Sequence, residues 1–255
     1  MFSVSPVLLD SPFVLLLTAL AFLLAGLVKG VIGLGLPTVA IGVLSLAMTP
    51  AHAAALLIVP SLVTNVWQLA AGPRLLALSR RLWLMMAGIA VGTWAAAGVF
   101  GAPGAGRAVV ALGVALMLYA ALGLGSVRFK VRPRHEGLLS PVMGAASGAI
   151  TAITGVFVLP GVPYLQALGL SKDDLVQALG LFFTVSTLAL ATVLVRENAF
   201  GLALSGGALL ALGAALVGMV LGQRLRPYVT EAAFRRYFFL AMLALGAHLA
   251  SRAIF

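Results

Sequence analysis

The chain contains no cysteine, and this absence removes several kinds of site at once. Disulfides, zinc sites with thiolate ligands and iron–sulfur clusters all require cysteine. Histidine does not replace it, because His52, His135 and His248 are far apart in the sequence and show no metal-ligand spacing. We therefore expect neither a metal site nor a cofactor.

Charge is also scarce. Only 9% of the 255 residues are charged, against about 25% in soluble domains, and 62% are hydrophobic. With a mean hydropathy of +1.16, the composition predicts an integral membrane protein. The longest hydrophilic stretch, Arg128–Gly137, is too short for a soluble catalytic domain, so we expect no enzyme. The basic excess lies in short loops, which is typical of membrane orientation and not of nucleic-acid binding.

Acidic residues are the rarest charged group, and all of them fall at the ends of apolar segments or in loops. They are Asp10, Glu136, Asp173, Asp174, Glu197 and Glu231. A proton relay or sodium site built on membrane-embedded carboxylates is therefore unsupported. His52 and His248, near segment ends, are weak candidates for a coupling residue.

Apolar segments make up most of the chain, and several reach the ~20 residues needed to cross a bilayer. The N-terminus has no basic region typical of a cleaved signal, so we expect the first helix to be retained. Helix start signals occur at Asp10 or Ser11, at Thr49 and at Ser171. The predicted helical segments are Phe13–Val28, Thr38–Met48, Pro50–Ala71, Leu82–Phe100, Ala108–Gly125, Leu138–Thr151, Val156–Leu170, Leu175–Val195, Ala199–Gly222 and Tyr237–Ile254.

Two glycine- and proline-rich stretches interrupt the apolar segments. The first is Gly26–Pro37, GLVKGVIGLGLP, and the second is Gly144–Pro163, GAASGAITAITGVFVLPGVP. Glycine and proline disfavour continuous helix, and broken backbone is tolerated in a bilayer only where protein or a polar cavity satisfies it. Paired interruptions at matching positions of two halves indicate a transporter's binding site.

The two halves resemble each other and predict an internal duplication, although chance matches among many glycines are the alternative. We expect a first repeat at residues 1–127, a basic linker at 128–137 and a second repeat at 138–255. The matches are Gly26 and Gly30 with Gly144 and Gly148 at 118 positions, Thr49 with Ser171 and Thr64-Asn65 with Ser186-Thr187 at 122, and Gly92 with Gly213 and Gly101 with Gly222 at 121.

Basic residues discriminate between two topologies. If each interrupted segment crosses once, the repeats are parallel and the loop charges divide nine to six. If each doubles back like a hairpin, twelve basic residues share one side, three lie opposite and Lys29 is inside. The twelve are Arg74, Arg80, Arg81, Arg128, Lys130, Arg132, Arg134, Lys172, Arg224, Arg226, Arg235 and Arg236, and the three are Arg107, Arg196 and Arg252.

The positive-inside rule favours the second topology. It predicts an all-α polytopic membrane protein with two inverted repeats, each an interrupted hairpin-like segment plus three transmembrane helices. Both termini then lie outside and the basic loops are cytoplasmic. The hairpin arms, roughly 11 to 16 residues long, are also too short to span comfortably.

The tips of the interrupted segments are the first candidates for substrate binding. Glycine lets backbone N–H groups approach a ligand, and the N-terminus of a half-helix attracts anions. The alternative is that the glycines only allow close helix packing, as in GxxxG seams, which Gly26/Gly30, Gly144/Gly148, Gly88/Gly92 and Gly218/Gly222 fit equally well. The candidates are Gly30, Gly33, Gly35 and Pro37 at the first tip, and Thr151, Thr154, Gly155 and Pro160 at the second.

Lys29 is the charged residue of the interrupted segments, and a charge at mid-membrane costs about 2.5–3.5 kcal/mol on insertion scales, which indicates function. The alternative is a lysine that extends to the membrane interface. Polar residues also follow single helix faces, where they donate to an anion or, as the alternative, bond between helices or back to the carbonyls of their own helix. They are Ser61, Thr64, Asn65 and Gln68 in the first half, and Gln177, Thr184 and Thr187 in the second.

The stretches LLAGLVKGVIGLGLPTVAIGVLSL and TPAHAAALLIVPSLVTN, their second-half counterparts, and Arg224-Leu225-Arg226 followed by FRRYFF resemble the sulfite exporter TauE/SafE family over nearly the whole chain. The resemblance implies a transporter of sulfite, sulfonates or related small anions. We expect a bacterial inner-membrane protein that moves such an oxyanion, bound between the two tips. The alternatives are a passive anion channel of the same architecture and a non-transporting membrane scaffold.

Overall fold

A computed structural model describes residues 11–100, 106–125, 130–197, 201 and 206–251. These residues form ten α-helices and the 3-10 turn Arg226–Tyr228, and no strand occurs among them. The helices are α1 (Pro12–Ile32), α2 (Leu36–Leu44), α3 (Pro50–Ala70), α4 (Leu75–Phe100), α5 (Gly106–Leu124), α6 (Pro133–Thr154), α7 (Gly161–Ala167), α8 (Lys172–Arg196), α9 (Gly206–Leu225) and α10 (Glu231–Ser251).

Six of the described helices, α1, α3, α4, α6, α8 and α9, are long and apolar enough to cross a membrane. The prediction of an all-helical integral membrane protein is therefore confirmed. Three predicted start signals are also confirmed, because the side chains of Ser11, Thr49 and Ser171 each accept a first-turn backbone N–H. Asp10, the alternative first cap, lies outside the described residues.

Both predicted breaks are present. α1 ends at Gly33 and α6 ends at Gly155, whose φ angles of 78° and 75° lie in the left-handed region that favours glycine. The predicted arm lengths are wrong for α1 and α6, which have 21 and 22 residues and are long enough to span. Only the returning helices α2 and α7, with 9 and 7 residues, are short. α6 also begins inside the predicted basic linker, at Pro133.

α1 and α6 continue through their glycines because another helix packs directly against each. A Cβ at Gly26 or Gly30 would overlap the backbone of α9 at Ala215 or Met219. A Cβ at Gly144 or Gly148 would overlap the backbone of α4 in the same way. The GxxxG packing that the sequence offered as an alternative is therefore real for these glycines, including the candidate site residue Gly30.

The partner helices carry matching glycines. Gly218 and Gly222 of α9 meet α1, and Gly88 and Gly92 of α4 meet α6. The equivalent glycines of α4 and α9 are thus 130 positions apart. The predicted pairing of Gly92 with Gly213 is wrong, because Gly213 faces open space; Gly101, predicted to match Gly222, lies outside the described residues. Glycine spacing along one helix does not reveal which face meets a neighbour.

Contacts between the halves follow one pattern. α1 packs on α9 and α6 packs on α4, each pair running in parallel. α3 packs against α8 in the opposite direction, since Ser61 meets Thr187 whereas Leu69 meets Gln177. α5 and α10 are also antiparallel, because Gly113 meets Ala250 and Gly123 meets Phe239. Exchanging the two halves leaves this set of helix pairs unchanged.

Candidate functional site

Lys29 lies in the last turn of α1 and is only 4% exposed. Its ammonium donates hydrogen bonds to Thr64 Oγ1, at 3.1 Å, and to Asn65 Oδ1, both on α3. No carboxylate among the described residues forms an ion pair with it. Among the described residues, the buried Lys29 side chain is therefore held by neutral oxygens alone.

The polar face of α3 extends this contact to the other half of the protein. Asn65 Nδ2 donates to Ser61 Oγ at 2.9 Å, and Ser61 Oγ lies 3.0 Å from Thr187 Oγ1 on α8. Thr187 donates in turn to the Phe183 carbonyl at 2.7 Å. We term Lys29, Asn65, Ser61 and Thr187 the Lys29 network. It joins α1, α3 and α8 through buried side chains.

Gln68 holds the first break in place. Its Nε2 donates to the carbonyls of Gly33 and of Val176 on α8, each at 3.0 Å, and these two bonds fix the orientation of the amide. Its Oε1 is buried without a hydrogen-bond partner. Lys29 and Gly33 therefore contact α3 at positions one turn apart.

The start of α2 presents unused donors inside the protein. Gly35 is the N-cap and provides no side-chain cap, and the first backbone bond into the helix runs from the Val39 N–H to the Gly35 carbonyl at 2.9 Å. The N–H groups of Leu36 and Thr38 have no intrahelical acceptor, and Pro37 has no N–H. The Thr38 hydroxyl is fully buried and has no partner.

The second break is different, because its polar groups bond locally. Thr151 Oγ1 donates to the Ser147 carbonyl and Thr154 Oγ1 to the Ile150 carbonyl, each at 2.7 Å. Thr154 also accepts the Val156 N–H at 3.1 Å. On α8, Thr184 donates to the Gly180 carbonyl at 2.7 Å. For Thr184, back-bonding is the alternative to anion binding that the polar face of this helix allows.

The two glycine caps meet α3 at different levels. Gly33 lies beside Gln68 near the C-terminal end of α3, whereas a Cβ at Gly155 would contact Ala54 near its N-terminal end and Ile41 of α2, the returning helix of the first break. Fourteen residues of α3 separate Ala54 from Gln68, about 21 Å at the usual rise per residue. Hydrogen bonds link the predicted site residues Lys29, Asn65 and Thr187 to one another through Ser61, and Gln68 to Gly33; Gly35 and Pro37 follow Gly33 at the start of α2. The predicted role of Thr151, Thr154, Gly155 and Pro160 stays a prediction.

Sequence reasoning missed Thr38, whereas it included Ser61 and Thr64 in the polar face of α3. Ser61 and Thr64 share a helical face with Asn65 and Gln68, and that periodicity is a sufficient signal. Thr38 follows Pro37 at the start of a helix opened by glycine, which places it among free N–H groups. Its burial could not be read from the sequence.

A bundle of membrane-length helices with an ionisable side chain buried among them is typical of membrane transport proteins. Residues 18–249 match the family described as Sulfite exporter TauE/SafE, and the chain belongs to this family. It is therefore a membrane transporter, as the sequence motifs predicted. No curated protein and no solved structure matches the chain.

Proposed function

We propose that the protein carries a small oxyanion, sulfite or an organosulfonate, across a bacterial inner membrane, and that Lys29 binds it. The observation that carries the proposal is the burial of the Lys29 amine with no carboxylate partner among the described residues. A buried ammonium is costly unless an opposite charge accompanies it. Thr64 and Asn65 satisfy two of its hydrogen bonds but supply no negative charge.

The start of α2 offers donors suited to the oxygens of the same anion. Free N–H groups at a helix N-terminus attract anions. The buried Thr38 hydroxyl, which has no protein partner, adds a further donor. A small oxyanion has several acceptor oxygens and can engage an ammonium, a hydroxyl and backbone N–H groups together. The family description names sulfite, which has this chemistry.

We further propose that the two repeats are inverted and exchange access to the site by rocking against each other. The antiparallel contacts of α3 with α8 and of α5 with α10 support this, because equivalent helices of inverted repeats run in opposite directions. In this arrangement α2 returns the chain to the side on which α1 begins, and α7 does the same for α6. The remaining three helices of each repeat then give an odd number of crossings.

Contacts at one end of the bundle support the proposed orientation. Arg74 pairs with Asp174 at 3.1 Å and Arg81 with Glu136 at 2.7 Å, so the first turns of α4, α6 and α8 lie together. We propose that this end, with its basic loops, is cytoplasmic and that both termini are outside. Arg128, Arg252 and the side chain of Arg107, which entered the charge comparison, lie outside the described residues.

Ligand screening tests the site. Purified protein is heated with sulfite, sulfate, thiosulfate, taurine or sulfoacetate, and a bound anion raises the melting temperature by the stabilisation RT ln(1 + [L]/Kd). We expect at least one anion to stabilise the protein and Lys29→Met to abolish the shift. Thr154→Val, in the second break, serves as the matched control. An unchanged shift in Lys29→Met would remove Lys29 from the site.

Flux in proteoliposomes separates the mechanisms. A transporter coupled to a second gradient accumulates the anion against its own gradient, whereas a passive channel only dissipates it. A membrane scaffold gives neither flux nor a thermal shift with any of these anions. The last result would overturn the proposed function.

A further inference from the structure

The C-terminal end of α3 and the N-terminal end of α8 are joined by two glutamine side chains that cross in opposite directions. Gln68 Nε2 of α3 donates to the Val176 carbonyl of α8 at 3.0 Å. Gln177 Nε2 of α8 donates to the carbonyls of Leu69 and Gly72 at 2.8 and 2.5 Å. Each amide therefore depends on the backbone of the opposite half.

An ion pair adds to this contact at the membrane edge. Arg74 Nη1 lies 3.1 Å from Asp174 Oδ2, and the Arg74 backbone N–H donates to Gln177 Oε1 at 2.9 Å. We term Gln68, Gln177, Arg74 and Asp174 the clasp. Gln68 follows Asn65 by one helical turn, so the clasp lies between the Lys29 network and this end of the bundle.

The opposite end of the α3–α8 contact has no such device. The helix caps Thr49 and Ser171 are 122 positions apart, which sets the correspondence between α3 and α8. At this spacing Gln68 corresponds to Leu190 and Gln177 to Ala55, both fully buried. No hydrogen bond between α3 and α8 side chains occurs at that end in the described part of the chain.

The ion pair has no counterpart at the corresponding positions of the opposite end. Asp174 corresponds to His52 and Arg74 to Arg196, so at these positions an acid–base pair is replaced by two basic side chains. His52 bonds instead to its own cap, Thr49, at 2.8 Å. Arg196 lines an open cavity of about 350 Å³ between α4 and α8, together with Trp94, Thr192 and Glu197.

We propose that the clasp is a gate that holds the protein closed at the α3–α4 end, and that it must break each time the anion passes there. The described residues at the opposite end include the exposed Trp94–Thr192 hydrogen bond between α4 and α8, but no hydrogen bond between α3 and α8 that matches the clasp, so without anion the closed clasp is the favoured state. This inference rests on the proposed transport function. It adds the prediction that, without anion, the two ends of the α3–α8 contact open to unequal extents.

Thiol labelling tests the gate, because the chain has no cysteine of its own. The reporter is Ser61→Cys, at the centre of the α3–α8 contact, in protein reconstituted without anion. A membrane-impermeant thiol reagent is applied from the α3–α4 side or from the opposite side. We expect Gln177→Leu to raise labelling from the α3–α4 side about fivefold or more, the effect of one net hydrogen bond lost from the closed state.

Two further variants complete the test. Asp174→Asn should raise labelling from the same side by a smaller factor, since it removes only the partly exposed ion pair. Trp94→Phe, which removes the 2.9 Å bond from Trp94 to Thr192 between α4 and α8, is the matched control and should leave that rate unchanged. If Gln177→Leu folds and labels at the parental rate, or labels faster from both sides equally, the gate is overturned. The thermal-shift measurement on Lys29→Met tests anion binding independently, so failure of the gate does not decide the proposed function.

Discussion

The two breaks end their first helices in the same way and then differ in chemistry. In each, a glycine with positive φ caps a helix whose glycines pack tightly on a helix of the other half. Four residues before the cap, however, the first break has Lys29 and the second has Thr151, which bonds to its own helix. After the cap, α2 begins with free donors, whereas Thr154 accepts the Val156 N–H at the second break.

If Lys29 binds the anion as proposed, this difference teaches that both breaks share a packing scaffold and that the first alone supplies the buried amine. Two copies of Lys29 would place two buried cations in one bundle, each costly to insert. The clasp follows the same principle, since it occurs at one end of a symmetric contact.

The largest expected effect is on stability, at the tightly packed glycines that both α1 and α6 carry. Gly26→Leu and Gly144→Leu should both destabilise the protein by more than about 3 kcal/mol, because each side chain would overlap a backbone carbonyl that cannot move aside. Unfolding in mixed detergent micelles measures the loss, and failure to purify as a single species counts as the extreme result. Gly213→Leu, which faces open space, is the control. A large loss of stability in one variant and a small loss in the other would show that the α1–α9 and α6–α4 contacts are not equivalent.

The next largest effect is expected on anion affinity, at Lys29, the residue that distinguishes the first break from the second. Lys29→Met should weaken anion binding about 30-fold, since a charge-assisted hydrogen bond contributes about 2 kcal/mol. Thr151→Val, four residues before the cap in the second break, should change binding by less than about threefold, because its hydroxyl is satisfied within α6. Isothermal titration with the anion identified by thermal shift measures both. Equal losses would mean that both breaks bind the anion.

Smaller, matched effects are expected at the helix caps. Gly33→Ala and Gly155→Ala should each cost about 1 kcal/mol of stability, since alanine is strained at positive φ. Gly155→Ala should cost more, because its Cβ would lie 3.1 Å from Ile41 whereas Gly33 faces open space. The difference between the two melting temperatures is the measurement. The opposite order would contradict the packing around Gly155.

The smallest effects are expected where hydroxyls bond to their own helix. Thr154→Val and Thr184→Val should alter anion affinity by less than about twofold, because neither hydroxyl is free to donate. Titration of each variant beside the parent protein checks this. A tenfold loss in Thr154→Val would restore the second break to the binding site.

Much of the fold could be predicted from composition and from helix start signals. The scarcity of charge determines a membrane environment, and in a bilayer each backbone segment must satisfy its own hydrogen bonds, which makes the chain helical. Ser11, Thr49 and Ser171 mark helix starts by local chemistry, and glycine with proline marks both breaks. The polar face of α3 is visible as a helical period.

What only the tertiary structure decided is which of these features meet. The sequence matches the two breaks to each other, and only packing shows that the Gly33 cap meets Gln68 of α3 whereas the Gly155 cap meets Ile41 of α2 and Ala54 of α3. Burial of Lys29 against Asn65, the free hydroxyl of Thr38 and the crossing of Gln68 with Gln177 all join residues that are remote in the chain or hidden by packing. Sequence period defines a helix face, whereas the partner of that face depends on how all the helices pack at once.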